Sequence, residues 1–366
     1  MNTEQFTTSL DRHLDSVTNR RREHGKPQVA VRATDLGLDY RYGDRPEPFH
    51  VASIGKLFTG TLIGMEMDTG RLAPDTLVSS LLPHDELRGL FRATPADVAG
   101  GATVEHLLSH TAGLADYYSG RTVTGLNAEK LLVAEPDRLW TPADLLAITR
   151  ERQRPLAAPG EKFAYCDTGY ILLGRIVEEL SGAAFHEQVH ARIFDPLCMT
   201  SSFMPYRSLP RRAESEAGDA LAPPTLAPAY YGTTDISGNR SMTVDWAGGG
   251  VASTLDDLLA FSESLHGGRL VSAGTLEFMA RPRNTFRAGL KYGASLFTVE
   301  IDKFAPWMRG YPKPVGGIGI LSTFLFHDPV HGADIALNFG GTGSMARGTR
   351  TLIQIEVLFR KALRGR

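Results

Sequence analysis

The sequence has little that would build a disulfide framework, a metal site or a membrane span. Its 366 residues include two cysteines, Cys166 and Cys198, without a zinc-type spacing, so we expect two reduced thiols and no metal. There is no run of about 18 apolar residues that would predict a membrane-spanning helix. The polar N-terminus MNTEQFTTSLDRHLDS lacks the apolar core of a signal peptide. The sequence therefore predicts a soluble, cytoplasmic protein.

Neither sign of charge is in large excess over the other. The formal net charge is −2, and the longest basic run is Arg20-Arg21-Arg22. This pattern gives no indication of a surface for nucleic acid or for an anionic membrane. The composition, 42% hydrophobic and 22% charged, is that of an ordinary globular protein. We therefore expect a small-molecule partner, while the oligomeric state stays open.

The hydrophobic periodicity of the two ends of the chain differs from that of its middle. The pattern predicts a helix over 1–24, a β-hairpin over 28–33 and 38–42, and a helix from Ser53 to Thr69. Residues 205–240 are predicted to be irregular, strands are predicted over 293–301, 318–326 and 333–339, and a final helix over 344–363. We expect residues 1–73 and 242–366 to form an antiparallel sheet flanked by helices, and residues 74–241 to form a mostly helical lobe.

The stretch FHVASIGKLFTG, residues 49–60, contains an S-x-x-K pattern formed by Ser53 and Lys56. On a helix, positions i and i+3 are neighbours, so the hydroxyl and the amine are expected to lie side by side. A serine becomes a nucleophile when a neighbouring group takes its proton, and a desolvated amine is able to do so. Alone, the pattern also arises by chance in a chain of this length.

Four stretches of the sequence, taken together, support a functional role for the S-x-x-K pattern. FHVASIGKLFTG, HLLSHTAGLADYY (106–118), APGEKFAYCDTGYILLGRIVEELSG (158–182) and AGGGVASTLDDLLAF (247–261) resemble the serine β-lactamases and penicillin-binding proteins. The likeness is to the branch with class C β-lactamases, D-amino acid peptidases and family VIII carboxylesterases, and it covers most of the chain. The resemblance implies an α/β sandwich with an all-α lobe. It also implies Ser53 as the acylated nucleophile, Lys56 as the amine that shares its proton, and Tyr165 as the partner base or proton relay.

The chemistry expected at Tyr165 agrees with that role. A phenol beside a lysine ammonium is pushed toward phenolate, and a phenolate is able to deprotonate a serine. His110 matches a position with a structural role in the family. Tyr117, Tyr118, Tyr230, Tyr231 and Trp246 are equally compatible with an acyl pocket and with the core.

Two departures from the family pattern bear on the substrate. Asp167 replaces an asparagine; an ionised carboxylate only accepts hydrogen bonds and should keep Lys56 protonated. It should also favour neutral or cationic substrates. The second departure is the K/H-T/S-G motif, in whose place Pro314 and Val315 stand, with Lys313 one residue early. The motif glycine is then Gly316.

By that alignment, the N–H groups of Ser53 and Gly317 would form the oxyanion hole. Asp167, Gly316 and Ile318 would contact the substrate.

These features predict a serine hydrolase that forms an acyl-enzyme with a small ester or amide, most simply a carboxylesterase, without metal or organic cofactor. The alternatives are a D-amino acid peptidase or amidase, an acyltransferase, a β-lactamase, and, from a different class, an inactive binding module. The missing K/H-T/S-G motif predicts poor β-lactamase and D-Ala-D-Ala carboxypeptidase activity, because those substrates carry a carboxylate near the scissile amide.

Overall fold

The computed structural model describes residues 2–18, 27–43, 45–92, 97–211, 223–304 and 308–363. Eight strands form one antiparallel sheet in the order β2-β1-β12-β11-β10-β9-β8-β7. Its strands are β1 (Gln28–Ala33), β2 (Leu38–Tyr42), β7 (Asn284–Arg287), β8 (Leu290–Tyr292), β9 (Phe297–Val299), β10 (Val315–Gly319), β11 (Thr323–Asp328) and β12 (Ala333–Asn338). The shorter pairs are β3 (Phe49–His50) with β6 (Ala252–Ser253), and β4 (Tyr230–Tyr231) with β5 (Thr234–Asp235).

Twelve α-helices occur within the described residues. They are α1 (Thr3–Thr18), α2 (Gly55–Asp68), α3 (His84–Leu87), α4 (Val104–Leu108), α5 (Ala128–Ala134), α6 (Pro142–Arg152), α7 (Asp167–Ser181), α8 (Phe185–Val189), α9 (Trp246–Gly249), α10 (Leu255–His266), α11 (Ala273–Ala280) and α12 (Met345–Leu363). No helix in these ranges is both long and apolar enough to cross a lipid bilayer.

The two faces of the sheet are covered by different helices. Phe6, Leu10 and Leu14 of α1 and Ile355 of α12 share one apolar cluster with the sheet. Helices α2 and α10 lie in the other cluster, which continues into the helices between α2 and α9. The predicted fold class, an antiparallel sheet flanked by helices plus a helical portion, is confirmed.

All eight strands of the main sheet fall within 1–73 and 242–366; the domain boundaries themselves stay a prediction. The β1–β2 hairpin is confirmed, with Gly37 at φ 62° in its turn, where glycine carries no Cβ penalty. Helix α1 is described from Thr3 to Thr18, and the remainder of the predicted helix, residues 19–24, lies outside the described ranges.

The predicted strand over 318–326 is wrong. Strand β10 ends at Gly319 and β11 begins at Thr323, with a tight turn between them in which Ser322 takes φ 61°. The apolar residues Ile320 and Leu321 of this turn continue the hydrophobic run, which obscures the break between the two strands. Within the predicted strand 293–301, regular pairing covers only Phe297–Val299. The two strands before it, β7 and β8, were not predicted.

Candidate active site

Ser53 lies on a strained turn just before α2. The α-helix begins at Gly55, while Ala52–Ile54 form a 3₁₀ turn, so the helix starts two residues later than predicted. Ala52 has φ 49°, a left-handed conformation that costs energy in a residue with a Cβ. The turn is fixed from behind, because the Thr323 hydroxyl donates to the Val51 carbonyl at 2.7 Å. The half-buried Ser53 is thereby presented to a cleft.

Glycines allow a second segment to lie directly against this helix start. A Cβ added to Gly55 would lie 2.5 Å from the Cα of Gly249, which no ordinary packing permits. The close approach brings two carbonyl groups of α9 onto α2: that of Ala247 accepts from Thr59, and that of Gly248 accepts from Lys56 at 2.9 Å. Lys56 is thus oriented by backbone that only glycine can bring so near.

The buried Lys56 ammonium contacts three oxygen atoms. Its Nζ lies 3.2 Å from Ser53 Oγ, donates to Gly248, and forms an ion pair with Asp167. Burial alone would lower the pKa of Lys56, but the charge and hydrogen bond of Asp167, together with smaller contributions from Tyr165 and Asp245, outweigh burial and raise this pKa well above the ordinary value. In the resting site Lys56 is therefore a cation, as the aspartate substitution predicted.

Tyr165 lies beside both residues. The Ser53 side chain interacts with its phenol and opposes part of the rise in the Tyr165 pKa, and the ring centroid of Tyr165 is 5.2 Å from Lys56 Nζ. The ring is held by the buried His110 at a centroid distance of 4.2 Å, a positioning contact that accords with a structural role for His110. Burial raises the pKa of Tyr165, and the opposing charge of Lys56 does not compensate. The expectation that the ammonium makes Tyr165 a ready phenolate is therefore wrong for the resting site, because desolvation is the larger effect.

Two more carboxylates surround this group, and sequence reasoning missed both. Asp116 is buried and accepts from the backbone N–H of Asp167 at 3.1 Å. Burial raises the pKa of Asp245 to about 7, reinforced by Asp167 and opposed by Lys56. Both residues belong to motif stretches or border them, and Asp245 directly precedes the glycine-rich segment that packs on α2. That position is the signal that could have identified it.

Strand β10 forms the opposite wall, and its register changes one predicted role. The pairing with β9 runs through Val315↔Thr298 and Gly316↔Phe297, and the N–H of Val299 donates to the Pro314 carbonyl at 2.9 Å. Backbone N–H groups alternate between the two edges of a strand. Gly316 and Ile318 therefore direct theirs toward the β9 edge, and Gly317 directs its own toward β11.

The prediction that Gly317 supplies an oxyanion-hole donor is therefore corrected. Beyond the paired residues of β9, it is the N–H of Ile318 that is directed toward the cleft. Gly317 instead allows β10 to approach α2, because a Cβ there would lie 2.6 Å from Leu57 Cδ1. The predicted contact of Gly316 with substrate is not supported by the geometry, since this residue faces β9 and does not line the cleft.

The cleft has a volume of about 270 Å³, and its lining is largely apolar. Its wall is built by Ser53, Tyr118, Ser119, Tyr165, Asp167, Asp245, Phe286, Arg287, Leu290, Phe297, Ile318, Gly319, Ile320 and Met345. Of the five aromatic residues considered for an acyl pocket, Tyr118 lies here, whereas Tyr117 and Trp246 are buried in the core. Lys313 does not line the cleft and pairs with Glu300 at 3.2 Å on the surface. The position that carries a polar motif in the resembled family is thus apolar on this strand.

Comparison with known proteins identifies the family of this chain. A sequence model described as Beta-lactamase matches residues 23–356. Penicillin-binding protein 4 of Amycolatopsis lactamdurans is 33% identical over 184 residues, 50% of this chain and 43% of that protein. The chain thus aligns with less than half the length of this curated relative.

Two solved structures share the fold over almost their whole length. The D-amino acid amidase of Ochrobactrum anthropi SV3 superposes with a TM-score of 0.76, 17% identity, and coverage of 98% of this chain and 99% of that one. EstCE1, a hydrolase with promiscuous acyltransferase activity, gives a TM-score of 0.71, 20% identity, and coverage of 96% and 98%. At such identities the likeness shows the fold alone. The family match shows that the chain belongs to the beta-lactamase family, the family of serine β-lactamases and penicillin-binding proteins.

Proposed function

We propose that the protein is a serine hydrolase of carboxylesterase type that acts on small neutral esters through an acyl-enzyme at Ser53. The observation that carries the proposal is the contact of Ser53 Oγ with Lys56 Nζ, with Tyr165 beside Lys56 at the wall of the same largely apolar cleft. The N–H groups of Ser53 and Ile318 are the proposed donors to the oxyanion. Preorganised donors of this kind are usually the largest single contribution to such catalysis.

The carboxylates beside Ser53 oppose the proton transfers that the proposed mechanism needs. Lys56 must lose its proton before it accepts the one on Ser53, and the charge of Asp167 opposes that loss. The same charge, together with burial, opposes a Tyr165 phenolate. Lys56 is the proposed base because its Nζ lies 3.2 Å from Ser53 Oγ, although its deprotonation leaves the charge of Asp167 without its partner. Tyr165 then donates its proton to the leaving group and regains one from the Lys56 ammonium, which returns Lys56 to the neutral amine.

A second candidate is an amidase for α-amino acid amides. It is favoured by Asp167 and Asp245, whose carboxylates lie at the cleft wall near Ser53 and suit a substrate ammonium group beside the acyl carbon. An acyltransferase, the third alternative, would divide its product between water and an added amine or alcohol.

The decisive experiment is covalent labelling with a fluorophosphonate, followed by mass spectrometry of the intact chain. We expect one adduct in the native protein and none in Ser53→Ala, with turnover of p-nitrophenyl butyrate reduced at least about a thousandfold. The matched control is Ser16→Ala, a serine on the exposed side of α1, which should label and react normally. Near-normal turnover by Ser53→Ala would refute the assignment.

Substrate class is tested separately by comparing kcat/KM for p-nitrophenyl butyrate with that for D- and L-phenylalanine p-nitroanilide. Higher values for the esters support the esterase proposal. A preference for either anilide that is lost when its amine is acetylated supports the amidase instead. Labelling of Ser53 without turnover of any of these compounds would contradict both activities and leave an acyl-binding module.

A further inference from the structure

Strand β7, at one edge of the main sheet, contains a β-bulge beside the cleft. Thr285 pairs with Lys291, and the next paired residue of β7 is Arg287, opposite Leu290. Phe286 is therefore the extra residue of the bulge. Consecutive side chains of a regular strand point to opposite faces of the sheet, but a bulge re-aims one of them. Both Phe286 and Arg287 consequently line the cleft.

The re-aimed Phe286 completes an aromatic wall at one end of the cleft. Its ring meets those of Tyr165 and Phe297 edge-on, at centroid distances of 5.5 and 5.4 Å. The rings of Tyr165 and Phe297 are nearly parallel, with planes inclined by 19°. All three residues line the cleft, and Phe286 is 40% exposed. A ligand that covers this exposed ring removes apolar surface from water, which favours its binding.

The other end of the cleft is narrow. Phe297 of the aromatic wall pairs with Gly316 of β10, and Ile320 follows four residues later, about 13 Å further along the chain direction of that strand. There, Tyr118, Asp245 and Ile320 line both the cleft and a neighbouring cavity of about 20 Å³. One water molecule needs about 10–15 Å³, so this cavity has no space for a ring or a long alkyl chain.

The proposed chemistry of Ser53 determines which part of an ester lies at each end. The N–H of Ile318, the proposed oxyanion donor, lies between the Gly316 and Ile320 ends of the cleft. During acylation the bond from Ser53 Oγ to the acyl carbon forms, the bond to the alcohol oxygen breaks, and that oxygen takes the Tyr165 proton. The alcohol must therefore lie beside Tyr165, which belongs to the aromatic wall, and the acyl chain extends toward the narrow end.

Building on the proposed esterase activity, we propose that Phe286, together with Tyr165 and Phe297, forms a binding site for the leaving alcohol. The preferred substrates are then esters of a short-chain acid with an aromatic alcohol. Aromatic rings in edge-on or offset contact attract one another beyond the effect of the area that they bury, which favours an aryl group over an alkyl group here. Phe286 acts on acylation alone, because the alcohol has left before water attacks the acyl-enzyme.

Two isomeric esters test this assignment on the full-length chain. Benzyl acetate carries its phenyl ring on the alcohol, whereas methyl phenylacetate carries the same ring on the acid. We expect the native chain to hydrolyse benzyl acetate with the higher kcat/KM. Phe286→Ala should reduce the ratio of the two kcat/KM values about tenfold, since the bound aryl group loses its apolar cover. Both esters are measured on one preparation, so partial unfolding lowers both values and leaves their ratio unchanged.

The matched control is Phe304→Ala, which should keep the native ratio. Phe304 is also 40% exposed and packs against Gly289 in the turn of the β7–β8 hairpin, but it does not line the cleft. A native preference for methyl phenylacetate, an unchanged ratio in Phe286→Ala, or an equal change in Phe304→Ala would each overturn the proposal. Hydrolysis of neither ester, or hydrolysis that persists in Ser53→Ala, would instead refute the esterase activity on which this site depends.

Discussion

Replacing Asp167 by asparagine tests how the acidic surroundings control the proposed base. The ion pair of Asp167 with Lys56 keeps the amine protonated, and the same charge raises the pKa of Tyr165. Asp167→Asn removes the charge while preserving the size of the side chain. Both groups should then lose their protons more easily, so the acidic limb of the rate profile should move to lower pH.

The magnitude follows from the burial of the pair. The side chain of Lys56 is 1% exposed and that of Asp167 is 9% exposed, so solvent screens them little. Two unit charges about 4 Å apart interact by about 4 kcal/mol at an effective dielectric constant near 20. Part of this change in free energy is offset by Asp245. Its pKa is about 7 because of burial and, in part, the charge of Asp167, so Asp245 ionises more readily in the variant. A net gain of about 1.4 kcal/mol would still raise the reactive fraction about tenfold.

The assay is kcat/KM for p-nitrophenyl butyrate measured from pH 5 to 9 in the native chain and in Asp167→Asn. We expect the variant to be about tenfold faster on the acidic limb and to gain more on an anionic ester than on a neutral one. The control, Asp85→Asn, removes one charge from a side chain that is 90% exposed and should leave the profile unchanged. A limb that stays in place or moves to higher pH would show that Asp167 does not set the protonation of the base.

Three further outcomes follow from the structure. Gly55→Ala should destabilise the fold by about 1–3 kcal/mol and impair turnover, because its Cβ would meet Gly249; Gly274→Ala, which has open space, should not, as denaturant unfolding will show. Glu356→Gln should make stability less dependent on pH. The raised pKa of the native carboxyl means that its stabilising effect is present at low pH and is lost as the pH rises toward the folded-state pKa; equal slopes of unfolding free energy against pH in both proteins would contradict this. Nitrocefin, benzylpenicillin and a D-Ala-D-Ala peptide should be turned over with lower kcat/KM than p-nitrophenyl acetate or butyrate, and the reverse order would contradict the esterase proposal.

The sequence was a good guide wherever local pattern and chemistry coincide. The β1–β2 hairpin, α2 and α7 all carry clear periodicity, and Ser53, Lys56 and Tyr165 lie within the motif stretches. The structure brings these three side chains together. Their catalytic roles remain predictions that the labelling experiment tests.

The predictions that failed, or that were not made, depended on strand register and on burial. The residue that directs its N–H to the cleft, Ile318 rather than Gly317, is set by how β10 pairs with β9, and a shift of one residue reverses every such assignment. The protonation of Tyr165 depends on a balance between desolvation and charge that sequence spacing does not contain. Asp245 was missed because it lies 189 residues after Lys56 in the sequence, and tertiary packing alone brings the two together.

The charges around Ser53 and the composition of β10 point to the same class of substrate. Asp167 and Asp245 repel an anion near the acyl carbon, and Val315 offers neither the hydroxyl nor the cation that would compensate. Lys313, the nearest cation along the strand, is held by Glu300 at the surface. Arg287 lies at the cleft wall on an exposed strand, where solvent weakens its attraction for a carboxylate. A hydrogen bond to a charged group is worth about 1.5–3 kcal/mol, so its absence alone disfavours carboxylate-bearing substrates by about ten- to a hundredfold. Neutral esters and ammonium-bearing amides avoid this penalty, which is why the two proposed activities are the ones to compare first.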